Sequence, residues 1–289
     1  MVGVIDVGSN TVRLVVVHGG RLVLSQREML HLGADVELHG SIPQAKLAAA
    51  GALVGSYAGA AREAGAADLA VLITSPGRQA ENGAELLDVL SAAAECTTRI
   101  LSAVEEAQLG FTGAVAVAAP PAGRRVAVVD VGGGSAQVVV GTRRDGPDWL
   151  RSIDLGSQRL TSRLLSTDPP GQAAIGAARA EVTSYLHEFD PPEPRVALAV
   201  GGSARALKRM VGSRLGHDEL EEALVLLAET PALEIAERFG IGADRVGTLA
   251  AGAAILTELQ ARLGTPLKVV RGGVREGALL ELTERRAAA

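Results

Sequence analysis

Residues 3–17 read GVIDVGSNTVRLVVV, and residues 127–141 read AVVDVGGGSAQVVVG. Each stretch is a short apolar run, then Asp-Val-Gly, then small polar residues, then a second apolar run. The pattern predicts a β-hairpin in both places: strand, glycine-rich turn, strand. The two aspartates, Asp6 and Asp130, stand 124 positions apart. Two copies in a chain of 289 residues predict two related domains, because a solenoid needs three or more short repeats.

The periodicity around each hairpin extends the parallel. After the first, 21–30 reads as a third strand, 43–64 as a helix, 67–74 as a buried strand, 79–95 as a helix, 98–101 as a strand and 103–117 as a helix. Ala119–Arg125 (APPAGRR) reads as a linker. The second half gives strands at 125–130, 136–141 and 148–153, then helices near 157–166 and 171–188. A strand at 196–200 runs into Gly201-Gly202-Ser203 and a helix. Helices near 217–228, 231–238 and 245–263, a strand at 267–270 and a helix at 273–286 complete the chain. Strand triplets followed by βα units predict mixed sheets covered by helices in two lobes.

Composition narrows the function. The chain is 47% hydrophobic but only 2% aromatic, so its core is built from Ala, Val, Leu and Ile, and stacking platforms for single-stranded nucleic acid are not expected. A net charge of −5 argues against a duplex-binding surface. One cysteine, Cys96, excludes an internal disulfide and any cysteine cluster for zinc or iron–sulfur. With no signal-peptide pattern and no apolar run of membrane-spanning length, a cytoplasmic protein is expected. Lys46, Lys208 and Lys268 are the only lysines among 28 basic residues, so an anion would be met by arginine forks and backbone N–H groups.

The turns carry the chemistry. In Asp6-Val7-Gly8-Ser9-Asn10-Thr11 a carboxylate ends a strand, Gly8 turns tightly, and the loop's N–H groups and hydroxyls can converge on phosphate. An ordinary hairpin turn favours the same residues. Asp130-Val131-Gly132-Gly133-Gly134-Ser135 shifts the balance, because three consecutive glycines cost backbone entropy that close approach to a ligand would justify. The spacing is neither that of a P-loop NTPase nor that of a dinucleotide site. Two such turns facing each other across a cleft would clamp a phosphate chain, with Asp6 and Asp130 holding a hydrated Mg²⁺ (or Mn²⁺) against it. The five histidines show no ligand spacing, and no nucleophile elbow is present.

The pair of turns resembles that of the exopolyphosphatase/guanosine pentaphosphate phosphatase (Ppx/GppA) family, within the superfamily of actin, the heat-shock chaperone ATPases and the sugar kinases. The resemblance runs in order along the chain through Thr74-Ser75-Pro76-Gly77-Arg78 with Asn82, Leu101 to Ala107, Ile153 to Leu160, Gly201-Gly202-Ser203, Asp244-Arg245 through Gly252, and Gly273 to Gly277. It implies an α/β fold of two actin-like (ribonuclease H-like) domains with mixed β-sheets and a cleft between them. The expected domains are 1–120 and 121–289, with the helix 273–289 able to pack back onto the first. It also implies a Mg-dependent phosphohydrolase that releases orthophosphate from the ends of polyphosphate or from pppGpp. Polyphosphate or guanosine penta/tetraphosphate are then the partners, with no nucleic acid duplex and no membrane; a homodimer is compatible with the sequence.

The implied catalytic residues are Glu106 and its neighbour Glu105. Ser102-x-x-Glu105 is a capping box, which gives Glu105 a structural reading and leaves Glu106 as the water-activating base. Arg78, after a strand and a Pro-Gly turn, can grip phosphate bidentately. Phosphate contacts are expected from Gly8, Ser9, Asn10, Thr11, Arg78, Gly132, Gly133, Gly134, Ser135, Gln137, Gly201, Gly202 and Ser203, with Asp6 and Asp130 as metal ligands. Arg205, Lys208 and Arg209 read as a solvated basic face. Gln137 stands where the resembled family usually has Glu; a neutral amide can neither act as base nor bind metal as an anion. A polyphosphate or (p)ppGpp-binding sensor of the same fold is therefore the alternative to the enzyme. A small-molecule kinase of the superfamily is a third reading, disfavoured by Asp-x-Gly-Ser-Asn in place of Asp-x-Gly-Thr. The resemblance is to a short form that lacks the extra C-terminal helical domain.

Overall fold

The computed structural model describes residues 1–288, which divide into two compact units: Met1–Leu109 with the C-terminal segment from Val274, and Gly110–Gly273. The first unit holds β1 (Val2–Val7), β2 (Thr11–His18), β3 (Arg21–Met29), α1 (Leu32–His39), α2 (Gln44–Glu63), β4 (Asp68–Ile73), α3 (Ser75–Gln79), α4 (Gly83–Ala94), β5 (Thr97–Ile100) and the first part of α5 (Ala103–Ala118). The second holds β6 (Arg125–Val131), β7 (Ala136–Thr142), β8 (Gly146–Ile153), α6 (Ser157–Leu164), α7 (Gln172–Tyr185), β9 (Val196–Val200), α8 (Gly201–Val211), β10 (Arg214–Leu215), α9 (His217–Glu229), α10 (Ala232–Phe239), α11 (Ala243–Val246), α12 (Leu249–Leu263) and β11 (Leu267–Val269). The last helix, α13 (Val274–Ala288), belongs to the first unit.

Both sheets are mixed and share one plan. The first runs β3-β2-β1-β4-β5, with β1 antiparallel to β2 and parallel to β4. The second runs β8-β7-β6-β9-β11-β10, with β6 antiparallel to β7 and parallel to β9. The repeat seen in the sequence is thus a repeat of topology, and each unit is an actin-like, ribonuclease H-like domain.

Strand period decides where the functional groups point. In β1, Ile5 and Val7 join the core under α2 and α4, while Val2 and Val4 face the other way, onto Ala278 and Leu279 of α13. Successive side chains alternate between faces, so Asp6 lies on the α13 side. On β2, Arg13 stands directly opposite Asp6. In β6, Ala127, Val129 and Val131 enter the second core, and Asp130 lies on the opposite face with Gln137 across from it. Gln137 therefore occupies in the second unit the place that Arg13 holds in the first.

The second core centres on α12, whose Ala251, Ala253, Ala254, Ile255, Leu256 and Leu259 are fully buried. Its small side chains let α6, α7, α8 and α9 all approach it. In the first unit, Gly51 of α2 meets Val89 of α4 so closely that a Cβ would lie 2.8 Å from the Val89 Cγ1.

The structure differs from the sequence reading in several places. The helix expected over 79–95 starts only at Gly83, because the Asn82 side chain binds both the N–H and the carbonyl of Ile42, each at 2.9 Å, and draws the chain out of helical geometry. The helix expected over 245–263 is two, α11 and α12, separated at Gly247-Thr248. The short α1 and two-residue β10 carry too little periodicity to be legible. The compact units divide at Leu109 and Val274, not at 120, because α5 continues through the division and Ala119–Arg125 is only the loop that follows it.

Candidate active site

The first turn is closed by the Gly8 N–H donating to Thr11 O at 3.0 Å. Its outward carbonyls are already engaged: Gly33 N–H donates to Ser9 O at 2.7 Å, and Leu30 and His31 N–H donate to Asn10 O. Gly33 is required there, since a Cβ would lie 2.6 Å from the Ser9 Cβ. The Ser9 and Ser75 hydroxyls share a buried hydrogen bond of 2.7 Å, which ties the turn to the start of α3. Asn10 is buried, and its Oδ1 has no hydrogen-bond partner.

The second turn is closed in the same way, and backbone N–H groups engage its carbonyls one residue earlier than in the first. Gly132 N–H donates to Ser135 O at 2.9 Å, Ser157 N–H donates to Gly132 O, and Gln158 and Arg159 N–H donate to Gly133 O. A Cβ on Gly156 would overlap the Gly133 carbonyl, so this glycine is what lets α6 seat against the turn. Gln137 is buried; its Nε2 donates to Ser135 Oγ at 2.8 Å and reaches Ser152 Oγ at 3.4 Å. Its role in the structure is to hold Ser135.

A third segment adds to the second unit. Gly201 has φ +91°, and a Cβ there would lie 2.8 Å from Asp130 Oδ1 and 3.2 Å from Val131 O. Only glycine fits both the backbone and the carboxylate. The Arg245 guanidinium lies over Gly202, with its Cζ 2.6 Å from where a Cβ would be. This places a guanidinium beside the first residues of α8. Ser203, grouped with these glycines in the sequence reading, is turned inward: it is fully buried against Gly252, and its hydroxyl does not face solvent. Arg209 is taken up by the Gly240 carbonyl.

In the first unit the charged groups come in pairs. Arg78 Nη1 lies 2.7 Å from Glu106 Oε2 and donates to Leu101 O at 2.8 Å. The contact with Glu106 is an ion pair by distance and is not aligned as a hydrogen bond. Arg78 Nη2 is buried with no hydrogen-bond partner, so one arm of the fork remains to donate. Asp6 is paired with Arg275 of α13, Nη1 to Oδ2 at 2.8 Å, with both side chains less than one-fifth exposed. The sequence reading matched Arg275 to a family motif without assigning it a role; its partner, 269 residues away, is visible only in the fold.

Glu105 and Glu106 are adjacent but differently employed. The Ser102 N–H donates to Glu105 Oε2 at 2.8 Å and the Glu105 N–H to Ser102 Oγ at 3.1 Å, which is the capping box; Arg99 also pairs with Glu105. The Ser102 backbone N–H first, then its hydroxyl, then Arg99 hold the Glu105 carboxyl below the usual carboxylate range. A depressed folded-state pKa stabilises the fold above the unfolded value and is lost as pH falls through the folded one. Glu105→Gln is therefore expected to keep activity within about threefold while costing about 1 kcal/mol or less of stability. Steady-state kinetics and urea unfolding at pH 7 check this, and at acid pH the stability difference from wild type should shrink.

No group of three or more His, Cys, Asp or Glu able to hold a metal occurs among the described residues. Asp6, one of the two expected ligands, spends its charge on Arg275. These residues do not build a cage for a resident ion.

A family model described as the Ppx/GppA phosphatase family matches residues 12–286. Exopolyphosphatase 1 of Mycobacterium tuberculosis is 28% identical over 300 residues, covering 96% of this chain and 87% of that protein. The guanosine-5′-triphosphate,3′-diphosphate pyrophosphatase of Aeromonas hydrophila is 23% identical over 292 residues, covering 96% of this chain and 58% of that one. Among solved structures, an exopolyphosphatase-like protein superposes with a TM-score of 0.89 at 25% identity, covering 98% of this chain and 99% of the other.

Proposed function

The chain belongs to the Ppx/GppA phosphatase family, and from that membership we propose that it is a phosphohydrolase that releases orthophosphate from the ends of polyphosphate or from pppGpp. The observation that carries the reading is Glu106 held beside Arg78, whose second arm is buried and without a partner. In this reading the Gly8–Thr11 turn and Arg78 Nη2 bind the terminal phosphoryl group. Glu106 orients a water on its far side and takes the water's proton. The water oxygen bonds to phosphorus, the bridging P–O bond breaks, and the shortened chain leaves as an anion. Arg78 stabilises the charge that spreads over the equatorial oxygens.

In the second unit, Gly132–Ser135 and the start of α8 with Gly201 and Gly202 offer backbone N–H groups of the kind that bind phosphate. Gln137 contributes by fixing Ser135. Asp130 would hold a Mg²⁺ (or Mn²⁺) ion that comes with the polyphosphate, and the ion would supply neutralisation of the phosphate charge there. Asp6 serves Arg275. No helix among the described residues is long and apolar enough to cross a membrane.

The test is orthophosphate release from polyphosphates of several lengths and from pppGpp, with Mg²⁺ or with EDTA. Release that depends on Mg²⁺ is expected; none from any of these substrates would end the reading. The second reading, a polyphosphate or (p)ppGpp sensor, is favoured by the neutral Gln137. A rise of about tenfold or more in kcat for Gln137→Glu, from a nearly inactive wild type, would select it.

A further inference from the structure

A cavity of about 300 Å³ lies in the second unit, among the end of α6, the 165–170 loop, the end of α9 and the junction of α11 with α12. Its polar lining includes Thr161, Thr230 and Asp168; its apolar walls include Leu165, Leu227 and Val246, all three buried. A water-sized group takes about 30 Å³ in a liquid, so the space suits a ligand of about ten non-hydrogen atoms. That is the small end of ligand pockets.

The sign of the charge here is set by one residue. No lysine, arginine or histidine lines the cavity. The arginines next to the lining in sequence are committed elsewhere: Arg163 to Glu181 and Tyr185 of α7, and Arg245 over Gly202. Helix ends of both polarities meet at the cavity, since α6 and α9 end there and α10 and α12 begin there. Their dipoles offset one another, and the Asp168 carboxylate remains. Asp168 is exposed, and one of its oxygens accepts the Ala232 N–H at 2.8 Å. No cation pairs with it among the described residues.

The lining is also short of donors. The Asp168 carboxylate accepts only, and its second oxygen has lone pairs left. Thr161 spends its O–H on the Ser157 carbonyl at 2.8 Å, which leaves its oxygen as an acceptor. An anion would meet this carboxylate with no compensating charge. A bare divalent cation would find a single carboxylate and would leave the leucine and valine walls unfilled. A wholly apolar ligand would strip water from the carboxylate and give nothing back. The remaining complement is a positively charged donor on an apolar body.

We infer that this cavity binds a small organic ammonium: a primary amine, protonated at neutral pH, on an apolar body of about six to nine carbons. The ammonium donates to Asp168, and the carbons lie against Leu165, Leu227 and Val246. The site uses none of the phosphate-turn residues, and it stands or falls independently of the phosphohydrolase reading. Ala250 lies in the wall, so Ala250→Phe fills the cavity from α12. Asp168→Asn keeps an acceptor for Ala232 and removes the charge.

Calorimetric titration of the full chain at pH 7 with cyclohexylmethylamine and with cyclohexylmethanol tests the site. The two probes share a shape and differ in charge. The amine is expected to bind about tenfold or more tighter than the alcohol, the usual worth of a hydrogen bond to a charged group. Asp168→Asn should bring the two affinities within about twofold of each other by weakening the amine alone. Ala250→Phe should abolish binding of both. No saturable binding of the amine overturns the inference, as does equal affinity for amine and alcohol in the wild type. An amine preference that survives Asp168→Asn also overturns it, because the charge then lies elsewhere. Should Ala250→Phe fail to fold, the amine-to-alcohol ratio in Asp168→Asn decides.

Discussion

Replacing Glu106 with glutamine is expected to lower kcat for orthophosphate release by about a hundredfold or more, the usual worth of a positioned general base. The amide keeps the shape and an oxygen for Arg78 but can neither accept the water's proton nor carry charge. Substrate affinity should change little, because in the proposed mechanism Glu106 takes the water's proton and binds no phosphate oxygen. Arg78→Met is expected to fail differently. It removes the free Nη2 donor as well as the partner of Glu106, so KM should rise along with the fall in kcat. The neighbouring Glu105→Gln is the internal control, since the two carboxylates share one helical turn and differ only in what they touch. Phosphate release measured for all three variants separates the roles. A Glu106→Gln protein retaining more than a tenth of wild-type kcat would remove Glu106 from the chemistry.

The second large effect belongs to stability. Arg275→Met leaves the Asp6 carboxylate mostly buried beside β1 without the guanidinium that lies 2.8 Å away. Breaking one side of a buried pair costs about 3 kcal/mol or more, chiefly through the uncompensated charge left behind. Asp6→Asn should cost less, because it removes the charge and keeps an acceptor. The double variant should cost less than the sum of the two, with a coupling of about 1–3 kcal/mol. Urea unfolding of wild type, both single variants and the double variant gives that coupling directly. Strict additivity would mean that the pair contributes nothing specific. The helix that carries Arg275 is also held by Gly277, where a Cβ would overlap the Leu109 carbonyl of α5. Loosening α13 by either route should therefore expose the same face of the first sheet, on which Val2, Val4, Ala70 and Leu72 are covered by Ala278 and Leu279.

Much of the site was legible before the fold. The two Asp-x-Gly turns announced themselves because a hairpin turn is local: its residues are consecutive, and their small size and backbone freedom follow from type alone. The capping box at Ser102 and Glu105 was legible for the same reason, since it closes within one helical turn. What stayed hidden was what long-range approach decides. Gly33 and Gly156 look like ordinary loop glycines, yet each lets a helix start seat against the carbonyls of an Asp-x-Gly turn. Gln137 looked like a departure from a catalytic pattern; in the fold it stands where Arg13 stands in the first unit and holds Ser135. Ser203 looked like a ligand beside two glycines, and the packing of Gly252 turned it inward.

The sequence by itself determined the doubling of the fold, the place and composition of both turns, and which of two adjacent glutamates closes the capping box. Each follows from residue type and short spacing, through backbone freedom and the strand and helix periods. Only the tertiary structure decided the fate of the charges. By sequence, Asp6 and Asp130 are twins; in the fold Asp6 faces α13 and is neutralised by Arg275, while Asp130 lies against Gly201. Coulomb energy depends on distance in space, and 269 positions of chain separate Asp6 from the guanidinium that settles its role.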